Sequence, residues 1–282
     1  MIGIILAGGK GSRLLPLTVS INKHLLPIYN KPMIYYPITT LILLGCKKII
    51  IVINKKDRSS YKKCINSLGN LGVKFVLQEQ GSDLGIPSAI LCAQKYISSS
   101  FYVILGDNLF FGNNFINDLK KNKNDTIICV KKVKEPKGFG ILYKDNNNQL
   151  KVFEKPSNFI GNLAVTGIYR FPKKAVNIIQ KLKKSSRNET EVSDLINTLI
   201  GNKKSNYKVI KLNRGTIWLD AGTFDSLAQC TEFVKIIYNR QGQDFGVPEE
   251  AAYEMRNISK TKLRSLNSID FDNNYSEYID SL

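Results

Sequence analysis

An α/β fold, with a mixed, mostly parallel central sheet flanked by helices, is predicted by three features of the sequence. The first hundred residues run as repeated strand-then-helix units, the first apolar run ends in a glycine-rich turn, and a carboxylate, Asp107, directly follows a later one. Repeated units of this kind need helices to carry the chain back between neighbouring parallel strands. A carboxylate just past the carboxyl end of such a strand stands where open α/β sheets bind their ligands.

The elements follow in order. Ile2 to Leu6 reads as a strand, Pro32 to Leu44 as a helix, Lys48 to Ile53 as the next strand, and Arg58 to Ser67 as a polar helix. Phe75 to Gln78 is a third strand, and Pro87 to Tyr96 a helix with proline in its first turn. Phe101 to Leu105 is rich in β-formers and delivers Gly106-Asp107. Beyond Asn124 the pattern turns to strands: Thr126 to Val133, Phe139 to Tyr143, Leu150 to Glu154 and Ala164 to Phe171, with a polar turn at Asp145 to Asn148. Helices are expected over Pro172 to Lys184, Val192 to Ile200 and Thr223 to Tyr238, with a short apolar run at Thr216 to Leu219. The tail after Gln241 carries two short helical stretches and an acidic, Asn-rich end. No repeat or linker divides the chain, so residues 1–240 are expected to form one domain with residues 241–282 packed on it.

Composition narrows the class. With 282 residues and 43% hydrophobic side chains the chain has ample material for a core, and no apolar run is long enough to span a membrane. No basic and apolar leader precedes the first strand, and five scattered cysteines without C-x-x-C spacing fit reduced thiols, so a cytoplasmic protein is expected. The net charge of +18 invites anionic partners. Only eight of the 41 basic residues are arginine, and the lysines travel with asparagine, as in Lys120-Lys121-Asn122-Lys123-Asn124. Such a diffuse excess lacks the arginine forks and interleaved aromatics of nucleic-acid readers, so small anionic substrates are expected rather than nucleic acid.

Five clusters carry the chemistry. In Ala7-Gly8-Gly9-Lys10-Gly11-Ser12-Arg13, glycines let the backbone approach a phosphate while Lys10 and Arg13 add charge. It is not the dinucleotide fingerprint, because Leu14 stands where the third glycine belongs, and no Gly-Lys-Ser/Thr makes it a P-loop. Lys23-His24 holds the only histidine, so a His-rich metal site is not available. Asp107 and Asp220, both at strand ends, suit Mg²⁺, a hard ion commonly held by one or two carboxylates plus substrate phosphates. Glu154-Lys155-Pro156 pairs an acceptor for sugar hydroxyls with a cation for phosphate. Arg187 precedes Glu189-Thr190-Glu191, where a cation and a carboxylate could serve one ligand.

Seven stretches, in this order, resemble the bacterial glucose-1-phosphate thymidylyltransferases of the sugar nucleotidyltransferase family. They are Ile4 to Leu14, Lys23 to Tyr29, Lys31 to Pro37, Leu105 to Gly112, Glu154 to Pro156, Ala164 to Tyr169 and Trp218 to Thr223. The resemblance implies a Rossmann-like, GT-A-like nucleotidyltransferase fold whose sugar-binding part covers about residues 125–222, Mg²⁺ dependence, and a homotetramer or dimer. It implies that dTTP and α-D-glucose 1-phosphate give dTDP-glucose and pyrophosphate, for deoxysugar and surface-glycan synthesis.

The site residues it implies are as follows. Leu6, Ala7, Gly8, Gly9, Gly11, Ser12, Arg13, His24, Gln80, Gly85 and Asn108 would meet the nucleotide, with Gln80 and Gly85 on the base and Arg13 on the leaving pyrophosphate. Gly140, Glu154, Val165, Thr166 and Trp218 would line the sugar site, with Lys155 and Arg187 on the sugar phosphate. Arg13, Lys23, Asp107, Lys155 and Asp220 would be the catalytic group, and Asp107 and Asp220 the metal ligands. An oxygen of the sugar phosphate would attack the α-phosphorus in line; that nucleophile is already anionic, so no base is needed.

Departures from the family pattern bear on substrate choice. His24 stands where glutamine is usual, Ser12 replaces threonine, Phe139 replaces tyrosine, and Leu84-Gly85-Ile86-Pro87-Ser88-Ala89 replaces Asp-Gly-Leu-Ala-Gln-Ala. Altered hydrogen-bonding groups change discrimination strongly, which leaves UTP or CTP, an amino or deoxy sugar 1-phosphate, or a non-catalytic module of the same fold as alternatives. Arg214-Gly215 and Pro248-Glu249-Glu250 resemble parts of the regulatory nucleotide site that the family carries between subunits, but Glu254 falls near where an arginine is expected, with Arg256 two positions on.

Overall fold

In the computed structural model, which describes residues 1–81, 85–112, 114–202, 205–266 and 274–282, the isoleucine-rich runs form the middle of a nine-stranded sheet. Ile2–Ala7 (β1) is apolar throughout because both its faces are covered. Ile4 and Leu6 join one core cluster, Ile5 and Ala7 another, as alternation along a strand requires. A short antiparallel pair, Pro27–Ile28 (β2) with Lys31–Pro32 (β3), leads into helix Tyr35–Leu43 (α1). The helix starts later than Pro32 because that residue belongs to the strand pair.

Lys48–Ile53 (β4), Arg58–Ser67 (α2), Lys74–Glu79 (β5), Ile86–Cys92 (α3) and Phe101–Leu105 (β6) complete the alternating units. Strands β6, β1, β4 and β5 lie side by side, all parallel. Pro87 occupies the first turn of α3, but Gln94–Tyr96 forms a separate 3-10 turn rather than continuing it. Asn108–Phe111 (β7) and Asn114–Lys121 (α4) follow, neither of them expected from the sequence.

The second half extends the sheet with Thr126–Lys132 (β8), Gly140–Lys144 (β9), Leu150–Glu154 (β10) and Leu163–Phe171 (β11). β11 runs antiparallel to β6, β8 and β9, so the sheet is parallel on one side of β11 and mixed on the other. Of the helix expected over Pro172 to Lys184, only Ala175–Ile179 (α5) is α-helical; Val192–Gly201 (α6) is helical as expected. Tyr207–Lys211 (β12), absent from the sequence reading, pairs in parallel with β8. Ile217–Asp220 (β13) leaves the main sheet to form a ribbon with β7, setting Trp218 opposite Phe110 and Asp220 opposite Asn108.

Phe224–Gln241 (α7) starts at a capping box, in which the Thr223 hydroxyl accepts from the Ser226 N–H and the Ser226 hydroxyl from the Thr223 N–H. Pro248–Glu254 (α8), Lys260–Leu266 (α9) and Asn274–Ser281 (α10) form the tail, with a third helix near the expected Asn-rich end. α8 packs on α1, and Ala251 and Ala252 enter the core that covers β1. All five cysteines are free, three of them buried. Among the described residues no helix is long and apolar enough to cross a membrane.

Candidate active site

β1 ends at Ala7, and the chain then turns across the carboxyl end of the sheet. Gly11 has a φ of 65° and leads into the 3-10 turn Ser12–Leu14, a left-handed conformation that glycine adopts without strain. At Gly8 the Gln80 amide closes over the loop: a Cβ there would lie 1.8 Å from Gln80 Oε1 and would push that side chain aside. Between this loop and the strand ends opens a cavity of about 720 Å³, lined by Leu6, Gly8, Gly9, Ser12, Lys23, His24, Gln80, Gly85, Asp107, Glu154, Lys155 and Arg187 among others. A smaller cavity of about 190 Å³ is lined by Arg13, Asn108, Gly140, Val165, Trp218 and Asp220, and shares Asp107, Glu154 and Lys155 with the first.

Of the residues expected at the site, Ala7, Gly11 and Thr166 line neither cavity. The Thr166 hydroxyl points the other way and donates to the Cys129 carbonyl at 3.1 Å. Neighbouring residues of one strand face opposite sides, so Val165 and Thr166 cannot both turn a side chain to the sugar pocket. Leu84 lies outside the described residues.

Asp107 stands at the junction of the two cavities. Its Oδ2 takes the Lys23 ammonium and its Oδ1 accepts from Asn108 Nδ2 at 2.9 Å. Burial pushes this carboxyl up, but the Lys23 charge and the two hydrogen bonds outweigh it and hold the group well below the usual carboxylate range. Asp220 is shifted the other way: burial and the charge of Asp107 raise it, and Arg13 offsets this only in part. Two carboxylates that disfavour each other's charge, with a lysine cation already drawn between the cavities, form a donor set that suits a divalent cation. Among the described residues no third His, Cys, Asp or Glu completes a cluster, so the remaining ligands would be substrate phosphate oxygens and water.

His24 is buried, and its state is legible from its neighbours. Asn22 Nδ2 donates to Asp57 Oδ2 at 2.8 Å, which turns Asn22 Oδ1 towards the imidazole. That oxygen accepts from the His24 backbone N–H (3.1 Å), the Tyr61 hydroxyl (3.0 Å) and His24 Nδ1 (2.8 Å). An amide oxygen only accepts, so Nδ1 carries the proton and Nε2 is left bare. The ring lies against Gly106, where a Cβ would come within 2.7 Å of it. Burial first, then Lys23, push the imidazole from 6.5 down to about 3, so it is neutral at neutral pH.

The unfolded chain therefore takes up a proton, as pH falls below 6.5, that the folded chain refuses until about 3. Stability is lost over that window at about 1.4 kcal/mol per pH unit. Urea titrations at about pH 7 and about pH 5 should show the native protein losing about 2 kcal/mol more than His24→Gln. Equal losses would show that the imidazole is not held neutral.

Of the sugar-side cations, Arg187 is already engaged. Arg187 grips Glu191 through two hydrogen bonds, of 3.2 and 2.6 Å, and lies 3.7 Å from Glu154. Burial and the Glu191 charge raise the Glu154 carboxyl, against Lys155 and Arg187. Lys155 holds a left-handed backbone, φ 46°, the kind of strain that collects at functional sites. Sequence reasoning reaches Glu191 only within the stretch that follows Arg187 and does not assign Asn22, Asp57 or Tyr61; Arg187 and Glu191 lie outside any helix, so no helical spacing reports their contact.

A separate cavity of about 410 Å³ lies between α1, β7 and the tail, lined by Phe111, Asp244, Glu250 and Glu254 among others. Among the described residues no Lys or Arg lines it, and Arg214 and Gly215 lie outside it. Burial pushes the Glu250 carboxyl up to about 7. Three carboxylates stand there beside Thr39, Thr40 and Tyr278, so a phosphate would find hydroxyls but no countercharge among the described residues.

Comparison with known proteins agrees with this geometry. The nucleotidyl transferase family model matches residues 2–236. A glucose-1-phosphate thymidylyltransferase of Neisseria meningitidis is 34% identical, over 99% of this chain and 98% of the relative. One of Mycobacterium tuberculosis is 36% identical, over 93% and 92%. Among solved structures, a Bacillus anthracis protein assigned as a glucose-1-phosphate thymidylyltransferase and crystallised with sucrose is 31% identical. It superposes with a TM-score of 0.74, covering 83% of this chain and 95% of that one. A UDP-glucose pyrophosphorylase bound to UDP-glucose shares the fold at 23% identity and a TM-score of 0.70, over 83% and 98%.

Proposed function

The chain belongs to the nucleotidyl transferase family, and from that premise we propose that it joins dTTP and α-D-glucose 1-phosphate into dTDP-glucose, with release of pyrophosphate. The observation that carries the reading is the shared wall of Asp107, Glu154 and Lys155 between the two cavities. Together the two have room for a nucleoside triphosphate under the glycine loop and a hexose, with Arg187 in the larger and Arg13 in the smaller, so the reacting phosphates meet at the Asp107 wall between them. The names of relatives matched over nearly their whole length supply the choice of nucleotide and sugar.

A phosphate oxygen of the sugar 1-phosphate forms the new bond to the α-phosphorus. The bond from that phosphorus to its β-bridging oxygen breaks, and the electron pair leaves with pyrophosphate. No proton must be removed, which accords with a neutral, buried His24 as the only histidine. The protein's part is placement and charge. Arg13 and Lys23 receive the triphosphate, with Arg13 on the leaving side. Lys155 and Arg187 hold the sugar phosphate, for which Arg187 exchanges part of its grip on Glu191. Glu154 and the strand around Gly140 and Val165 accept and donate to sugar hydroxyls. Asp107 and Asp220 would hold Mg²⁺, which would supply countercharge to the reacting phosphates.

A grid of four nucleoside triphosphates against several sugar 1-phosphates, with and without Mg²⁺, tests the reading by pyrophosphate release. The largest kcat/KM is expected for dTTP with glucose 1-phosphate, and loss of the signal on removing Mg²⁺. A maximum at UTP, CTP or an amino sugar would reassign the substrate, and an empty grid would leave a non-catalytic module.

A further inference from the structure

Asn108 joins the sugar pocket to the carboxylate on which the reaction turns. Its Oδ1 accepts from Trp218 Nε1 at 2.6 Å and from the Gly167 backbone N–H at 3.1 Å. Both partners can only donate, so the orientation of the amide is determined: the nitrogen must face Asp107, where it donates to Oδ1. The side chain is almost completely buried, and a turned amide would set two donors against two donors. The neighbourhood is built around this contact. A Cβ at Gly167 would lie 2.5 Å from Asn108 Oδ1, and the β11–β8 register breaks between Val165 and Tyr169, around that glycine.

Trp218 is the only member of this chain of contacts with a large face in the sugar pocket. Its ring meets Phe139 at a centroid distance of 5.2 Å, and both line the smaller cavity. Its indole N–H is spent on Asn108 and is not free for a sugar hydroxyl. The β7–β13 ribbon fixes the rest: Asp220 pairs with Asn108, and the Ala221 N–H donates to the Asp107 carbonyl at 2.9 Å.

We infer that Trp218 is a positioning residue, whose indole N–H acts through the Asn108 amide to orient the Asp107 carboxylate, beyond any contact its ring makes with the sugar. The inference rests on the nucleotidyl-transfer reading above. Loss of the N–H leaves the Gly167 N–H as the one donor holding the amide oxygen, so the amide is less firmly fixed and the donor on one carboxylate oxygen of Asp107 is loosened. The consequence falls on turnover more than on sugar affinity.

A double-mutant cycle reads this directly. Trp218→Phe keeps a ring on the Phe139 side while removing the indole N–H along with part of the ring; kcat should fall about 10-fold while the sugar KM stays within about 3-fold. In an Asn108→Ala background the same change should lower kcat by less than about 2-fold, because the connection is already cut. An equal loss in both backgrounds, or a raised sugar KM with unchanged kcat, overturns the inference. Should Asn108→Ala fail to fold, Mn²⁺ binding to the protein–dTTP complex, followed by paramagnetic resonance, decides. It should weaken about 5-fold in Trp218→Phe, and unchanged binding refutes the role. A native protein that releases no pyrophosphate counts against the function and takes the inference with it, whereas an active one with additive effects counts against the inference alone.

Discussion

Asp107→Asn should abolish pyrophosphate release, lowering kcat by roughly 10³-fold or more, while the circular dichroism spectrum stays native. The size follows from how many roles meet at this carboxylate. It lines both cavities, receives the Lys23 ammonium on one oxygen and Asn108 on the other, and stands close enough to Asp220 to raise that group. Asparagine has nearly the same shape and can still accept one hydrogen bond, so the strand end is not disrupted. What it removes is negative charge, and with it the affinity for a divalent cation and the partner that holds Lys23 in place. Asp220→Asn should show a smaller loss of the same kind, because Arg13 offsets Asp220 only in part and, among the described residues, no ion pair like that of Lys23 with Asp107 is released. A variant at position 107 with near-native turnover would sink the metal assignment and move the catalytic burden to Arg13, Lys23 and Lys155.

The parts of the fold that were legible are those whose signal is local. Ile2 to Leu6 and Lys48 to Ile53 read as buried strands because both faces are covered and their apolar runs are unbroken. The Thr223–Ser226 cap announces α7 within four residues. The β7–β13 ribbon was not legible, because its strands are four residues each and Asn108 and Trp218 lie 110 positions apart. In sequence, β7 looks like a continuation of the apolar run that ends at Leu105. The same distinction holds at the site. The glycine loop, Lys23, Asp107 and Lys155 stand in recognisable stretches, and the structure brings them to one place. The hydrogen-bonded support of Asn22, Asp57 and Tyr61 behind His24 joins three separate elements, and nothing in the spacing of those residues reports it. The +18 charge resolves in a similar way: Lys10, Lys23, Lys155, Arg13 and Arg187 line the two cavities, and that small share is what the anionic substrates account for.

Lys31→Met should destabilise the protein by about 3–5 kcal/mol, the cost of leaving a buried charge without its partner. Lys31 and Asp244 form an ion pair at 2.6 Å with side chains 1% and 0% exposed. The ammonium also lies 5.5 Å from the ring centroids of Tyr36 and Tyr275, so three parts of the chain, β3, α1 and the tail, meet on one cation. Burial pulls the lysine below its ordinary pKa and Asp244 restores only part of it, which marks a pair whose desolvation is expensive and whose separation is more so. In the single variant the Asp244 carboxylate keeps Asn30 Nδ2 and the Phe245 N–H but has lost its countercharge. Neutralising it as well, in Lys31→Met with Asp244→Asn, should recover at least half of the loss in urea unfolding. Recovery would identify the stranded charge as the cause, and none would assign the loss to packing around Tyr36 and Tyr275. Activity should follow stability, because the segment from Lys23 to Ile34 is tied by hydrogen bonds from the Met33 N–H to Leu26 and from the Ile34 N–H to His24. A loosened Lys31 end therefore reaches the lysine that holds Asp107, and the single variant should lose turnover at temperatures where it is still folded.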